Sequence, residues 1–213
     1  MEAVAFDFDG TLIDSMGMWN DLPKNYLASK GHRLSQEVAS QIFTMSLKVS
    51  IPFLKKTYGL HDDTQEILKG MGDILTEGYS RTLQLKPGAI EILDAFKNRG
   101  YTLVLATATN EKYVSHALKR FNLYPYFQEI QTCDNAGYSK DDPNFYRVLS
   151  KRLGLPLDQV YLFDDAPYAL KAAQSQGMYT VGVKDTYNLH HWDKVKAYSK
   201  KTLENLGDWT FKE

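Results

Sequence analysis

The sequence predicts an α/β protein built on a doubly wound parallel sheet, with an all-helical segment inserted after the first strand. Three observations carry that expectation. From about residue 87 onward, short apolar runs alternate with helix-period segments, the pattern of a parallel sheet covered on both faces. One more apolar run, "AVAF" at 3–6, stands far upstream of them. Between the two, residues 16 to about 82 hold helical stretches and no alternating strand-like run. The expected division is 1–15 with 83–213 as one unit and 16–82 as the other.

The elements follow in order. "AVAF" is the first strand, and in the insert the clearest helix places Leu68, Met71, Leu75 and Tyr79 on one face. The chain is expected to rejoin the sheet near Leu85, and Pro87 with Gly88 opens a helix running to Gly100. "YTLVLA" (101–106) is the next strand. The helix after it carries Val114, Ala117, Leu118 and Phe121 at i, i+3, i+4 and i+7. "FQEIQT" (127–132) is a third strand, and Asp142 before Pro143 reads as an N-cap with proline at the first helical position. Phe145, Val148, Leu149 and Leu153 then repeat on one face, and "VYLF" (160–163) and "YTVGV" (179–183) complete the strands. There is no internal repeat and no low-complexity segment.

Composition narrows the function classes. Hydrophobic residues make up 43% and charged residues 24%, ordinary for a globular chain, and no apolar run approaches bilayer length, so no membrane role is expected. Twenty-five basic residues against 26 acidic ones leave a net charge of -1, so the overall field gives no reason to expect nucleic acid. The basic stretch "DKVKAYSKK" reads as a solvated helix face. The start "MEAVAFDF" lacks a basic n-region and a cleavable apolar segment, and one cysteine, Cys133, excludes an internal disulfide; the expected compartment is the cytoplasm. Cys133 is expected to be a buried thiol, and His190 and His191 to be solvated.

The chemistry-bearing residues stand at strand ends. In "AVAFDFDGTLIDS" two acids, Asp7 and Asp9, flank Phe8 and precede Gly10. "DG" between apolar runs is also a hairpin signal. A calcium loop would want its glycine sixth, and Gly10 is fourth from Asp7. On a strand, Asp7 and Asp9 would project to one face and Phe8 to the other, while Gly10 can take a positive φ. Thr107 follows "YTLVLA", and Asp164 and Asp165 follow "VYLF". In an open parallel sheet the carboxyl ends of the strands line one crevice, so three distant segments deliver acids and a hydroxyl to one place. Converging carboxylates call for a cation, and all-oxygen ligands favour Mg²⁺, which commonly binds phosphate as well. Lys140, just ahead of a helix, could reach an anion there, and the helix after Thr107 offers its free N–H groups to a phosphate.

At this point "DFDGTLIDS" resembles the first motif of the haloacid dehalogenase (HAD) superfamily. Thr107 matches the second motif and Lys140 the third, and "FDDAPYALKAAQSQGM" is similar to the fourth, with Ala172, Ala173, Gly177 and Met178 fixing the alignment. Asp164 stands where the family carries Glu or Gly, Ala166 where it carries Ser, and Asp141 where it carries proline. The insert resembles the helical cap of the phosphoglycolate phosphatase and β-phosphoglucomutase-like branch in position and helical character only. The resemblance implies a Rossmann-like core, Asp7 as nucleophile and Asp9 as general acid and base. It also implies Mg²⁺ held by Asp7, the Asp9 carbonyl and Asp165; whether Asp164 binds directly stays open. Gly10, Thr11, Thr107, Ala108, Asn110 and Lys140 are the implied phosphate contacts, with helix capping an alternative for Asn110. Asp14 and Ser15 would form the exit into the cap.

The activity implied is a Mg²⁺-dependent phosphatase acting on a small phosphorylated metabolite. A phosphomutase is the alternative, although those enzymes carry a histidine near the place of Trp19, and a fold that binds without turnover is a third reading. In the cap, Trp19, Phe43, Phe53 and Tyr58 could line a pocket or pack together, and Lys48 and Lys69 are weak candidates for holding an anion. Monomer and homodimer are both open.

Overall fold

The computed structural model describes residues 2–42, 45 and 47–211. The strands are β1 (Ala3–Phe6), β2 (Ile13–Asp14), β3 (Gln84–Leu85), β4 (Thr102–Thr107), β5 (Glu129–Thr132), β6 (Val160–Asp164), β7 (Tyr179–Val183) and β8 (Lys201–Leu203). The helices of the insert are α1 (Met16–Ser29), α2 (Gln36–Ile42), α3 (Leu47–Tyr58) and α4 (Thr64–Glu77). Those after it are α5 (Ala89–Lys97), α6 (Glu111–Arg120), α7 (Cys133–Ala136), α8 (Pro143–Leu153), α9 (Pro167–Ser175) and α10 (Trp192–Ala197). Contacts group the chain into Met1–Met16 with Leu83–Glu213, and Gly17–Thr82. Among the described residues no helix is long and apolar enough to cross a membrane.

The larger unit is the doubly wound Rossmann-like sheet the sequence predicts. Six parallel strands run in the order β5-β4-β1-β6-β7-β8. All four residues of β1 are buried, which is why the run is continuously apolar instead of alternating. Because the chain winds from β1 to one side and later returns to the other, the crevice opens beyond the carboxyl end of β1. Phe6 pairs with Leu105 of β4 and Phe163 of β6, so Asp7 and Asp164 leave their strands side by side.

The helices follow their sequence signals. Asp142 caps α8, its carboxylate accepting from the Asn144 amide, and Phe145, Tyr146 and Leu149 form its buried face. Val114, Ala117 and Leu118 form that of α6. In the helical unit, Asp63 and Glu66 close a capping box on α4. Its buried stripe is Ile67, Met71, Gly72 and Leu75, whereas Leu68, expected on that face, is 40% exposed. The four-residue spacing of 67, 71 and 75 forms the seam, and Leu68 lies about 100° around the helix from it. Trp19 and Phe53 are half-buried, and the Trp19 indole donates to the Tyr79 hydroxyl at 2.9 Å. Tyr58 accepts from the Ser35 amide, and Lys69 is a surface residue paired with Asp73 at 2.7 Å. Phe43 lies outside the described residues, as does the side chain of Lys48.

Two further segments differ from expectation. Leu85 does not rejoin the main sheet. Instead β3 pairs antiparallel with β2, so the outgoing and returning chains satisfy each other's backbone in a separate ribbon. In "DKVKAYSKK" the helix ends at Ala197, and the chain then adds β8 to the sheet edge, a short lysine-bearing strand of the kind that protects an edge. Cys133 is half-exposed, because it opens the four-residue α7 at the surface.

An aromatic cluster lies against one face of the sheet around Phe96, which is fully buried and meets both Tyr161 and Phe163 of β6. Its ring lies 4.8 Å from Phe211, 5.0 Å from Tyr101, and 5.6 Å from both Phe163 and Trp209. Replacing Phe96 with alanine removes a centre that these neighbours cannot refill. The unfolding free energy should fall by about 3–5 kcal/mol in a denaturant titration. A loss below about 1 kcal/mol would show that the cluster collapses onto the gap without cost.

Candidate active site

The site begins where β1, β4 and β6 end. The Asp7 amide extends the ladder by one bond, donating to the Phe163 carbonyl at 2.8 Å, and its carboxylate lies beside those of Asp164 and Asp165. One oxygen from each of the three falls within 4.8 Å of the others. Lys140 reaches in from the loop before α8 and donates to Asp7 Oδ1 at 2.7 Å and Asp164 Oδ2 at 2.6 Å. All four side chains are buried.

Three ionised carboxylates against one ammonium would leave an excess of two negative charges in a dry place, which the buried acids resist by holding their protons. Burial pushes the Asp7 carboxyl up to about 7, against the pull of Lys140 and with a further push from Asp164. Burial also holds Asp165 well above the usual carboxylate range, helped by Asp7 and Asp164. Burial pulls Lys140 down, but Asp164 and Asp7 outweigh it and keep the ammonium well above its ordinary value. A divalent cation would cancel the excess, and an all-oxygen donor set fits Mg²⁺.

Asp9 occupies a different niche. Its two oxygens accept from Ser15 Oγ and Thr109 Oγ1, each at 2.6 Å. Strand alternation does not put it there, since β1 ends at Phe6 and residues 8 to 13 form a turn in which the Phe8 carbonyl accepts from the Leu12 and Ile13 amides at 2.9 Å. Phe8, at the start of that turn, is buried away from solvent. Gly10 has φ 79°, and a Cβ there would come within 2.5 Å of Asp165 Oδ2. Thr11 is buried with its hydroxyl 3.5 Å from Asp165 Oδ1, the long limit of a hydrogen bond.

The turn after β4 is similarly fixed. Thr107 is buried and its hydroxyl accepts from the Thr109 amide at 3.0 Å, which also aims Thr109 at Asp9. Ala108 between them is exposed. Asn110 caps α6, taking the Lys112 amide at 2.8 Å, and its own amide donates to Asp134. The side chain offered as a phosphate contact is thus engaged at both ends in local structure. Asp164 uses Oδ1 for the Ala166 amide at 2.9 Å and Oδ2 for Lys140.

The haloacid dehalogenase-like hydrolase family matches residues 4–183, a span that contains every one of these side chains. The chain belongs to that family. Among curated relatives of this HAD-like hydrolase, a phosphorylated carbohydrates phosphatase of Thermotoga maritima is 27% identical over 178 residues, covering 84% of this chain and 82% of its own. A phosphoglycolate phosphatase of Aliivibrio fischeri is 26% identical over 202 residues, covering 92% and 88%. Among solved structures, a candidate β-phosphoglucomutase from Thermotoga maritima superposes with a TM-score of 0.83 at 24% identity, covering 97% and 95%. CbbY of Rhodobacter sphaeroides, in complex with xylulose-(1,5)bisphosphate, superposes with a TM-score of 0.78 at 20% identity, covering 98% and 96%. At such identities the structures establish the shared HAD fold.

Several contacts of this HAD-like site escape a reading of motifs. Ser15 and Thr109 grip Asp9, Asn188 donates to Asp165 Oδ2, and Lys86 donates to the Gly10 carbonyl at 2.7 Å. Ser15 closes the first motif, where the resemblance gives it only the exit into the cap, and Thr109 follows the matched Thr107 by two residues; Asn188 and Lys86 carried no such signal. The Gly10 geometry gives a direct test. In Gly10→Ala the added methyl meets Asp165 and the positive φ is strained, so activity should fall about 100-fold, the cost of displacing a reacting group by about 1 Å. An unchanged rate would mean that Asp165 is free to move aside.

Proposed function

We propose that this HAD-like hydrolase is a Mg²⁺-dependent phosphatase that cleaves a small phosphomonoester through an aspartyl-phosphate on Asp7. The observation that carries the reading is the buried group of Asp7, Asp164 and Asp165 around Lys140, with Asp9 held apart by two hydroxyls.

In the first step an oxygen of Asp7 attacks phosphorus in line, the P–O bond to the leaving group breaks, and Asp9 gives its proton to the departing oxygen. In the second, Asp9 takes a proton from water, whose oxygen attacks the same phosphorus and returns Asp7 as a carboxylate. The hydroxyls of Ser15 and Thr109 can each donate or accept, so they hold the Asp9 carboxyl in either protonation state. Asp7, the Asp9 carbonyl and Asp165 would hold Mg²⁺, with Asp164 supporting Lys140. When bound, Mg²⁺ supplies charge neutralisation between the anionic phosphate and the carboxylates. Lys140 and the Thr107 hydroxyl stabilise charge on the transferring group from the protein's side.

The experiment is phosphate release from an aryl phosphate and from a panel of sugar phosphates, phosphoglycolate, nucleotides and cofactor phosphates. Release that needs Mg²⁺ and stops with chelator is the expected result. Isomerisation of a hexose phosphate with little release would replace this reading with a mutase, and no turnover of any member would replace it with a binding role.

A further inference from the structure

The Mg²⁺ reading leaves unexplained how Asp165 is aimed. Asp165 lies between two loops: the turn at Gly10, whose absent Cβ leaves it room, and the turn after β7, from which the Asn188 amide donates to Asp165 Oδ2. A carboxylate oxygen only accepts, so the amide presents its NH₂ and adds no charge to a cluster that already carries three acids.

The Asn188 turn is itself fastened. Asp185 caps it, with Oδ1 accepting from the Tyr187 amide at 2.9 Å and its carbonyl from the Asn188 amide at 3.1 Å. Asp185 Oδ2 takes Lys86 Nζ at 3.0 Å, in a pair whose side chains are 14% and 2% exposed. The same ammonium donates to the Gly10 and Lys184 carbonyls at 2.7 Å each. All three Lys86 donors are therefore spent on tying the Gly10 turn to the Asn188 turn. Lys86 is placed for this by the ribbon, since its amide donates to the Leu12 carbonyl directly after β3.

We propose that Asn188 is a positioning residue that orients Asp165 for divalent-cation binding, held in register by the Lys86–Asp185 strut. This rests on Asp165 being a metal-binding carboxylate. Hydrogen-bond partners of metal-binding groups commonly govern affinity, and their loss costs about 10–100-fold.

The test is calorimetric titration of Mg²⁺ alone into the whole protein and into Asn188→Ala, Asp185→Asn and Asp165→Asn. The Kd for Mg²⁺ should rise about 10–100-fold in Asn188→Ala. Asp185→Asn should move it in the same direction, the thermal midpoint of metal-free Asn188→Ala should match wild type, and its kcat should recover at high Mg²⁺. A merely structural role would lower the midpoint and resist rescue by Mg²⁺. An unchanged Kd in Asn188→Ala and Asp185→Asn, with binding weakened in Asp165→Asn, overturns this inference and leaves the metal reading standing. Wild-type protein that binds no Mg²⁺, or Asp165→Asn that binds it as tightly, overturns both.

Discussion

Asp7→Asn should lower phosphate release by about 10⁴-fold or more, the order expected when the covalent nucleophile of a linked set of residues is lost. The variant should not lose its fold. Asparagine is nearly isosteric and its carbonyl can still accept from Lys140, which now holds Asp7 Oδ1. Stability should even improve under alkaline conditions. The Asp7 carboxyl is raised to about 7 in the folded chain, so the native state holds a proton that the unfolded chain gives up more readily. That acid's contribution to stability falls as pH rises from about 4 through about 7, and asparagine has no such loss. Thermal unfolding at about pH 8 in chelator should therefore give a midpoint at or above wild type, paired with no turnover. Residual turnover near the wild-type rate would remove Asp7 from the chemistry.

Lys140→Met should cost both rate and stability. Among the described residues the ammonium is the one basic group paired with Asp7 and Asp164, and all three are buried. Removing one partner of a buried ion pair commonly costs about 3–5 kcal/mol, because it strands the opposite charge. The loss must depend on pH. Without the cation, the Asp7 and Asp165 carboxyls, which burial already raises and Lys140 pulls down, move further above their unfolded values, so the stability they withhold grows as pH rises. The gap between wild type and variant should be small near pH 5 and should widen to about pH 8, with Mg²⁺ narrowing it. Activity should drop about 10²–10³-fold, as when a preorganised donor to the transition state is removed. Thermal unfolding across that range, with and without Mg²⁺, checks the sign; a gap that closes with rising pH would mean that Lys140 does not hold the acids.

The legible parts of this protein are those where one residue type has one physical job. The uninterrupted apolar runs announced central parallel strands, Asp142 before Pro143 announced a cap, and the acids after "AVAF" and "VYLF" announced the crevice, because strand ends converge in such a sheet. What stayed hidden depends on distant partners. Leu68 and Ile67 are equally apolar, and only packing decides which faces inward. Two-residue strands such as β2 and β3 are too short to show a period. Lys86 looks like any surface lysine until Gly10, Lys184 and Asp185 close around it, and Asn188 has no meaning until β7 carries it to Asp165. Asn110 shows the reverse case, where the nearby helix start announced the cap that the side chain makes.

The central claim is covalent chemistry at Asp7, and trapping the intermediate tests it most directly. Asp9→Asn should be mixed with an aryl phosphate, whose leaving group departs without a proton, then quenched in acid and mapped by peptide mass spectrometry. Without the base that activates water, the phosphorylated form should accumulate, with an acyl phosphate on Asp7 and on no other residue. Phosphate released over many turnovers with Asp7 unmodified, or with the phosphoryl group on another side chain, would contradict it.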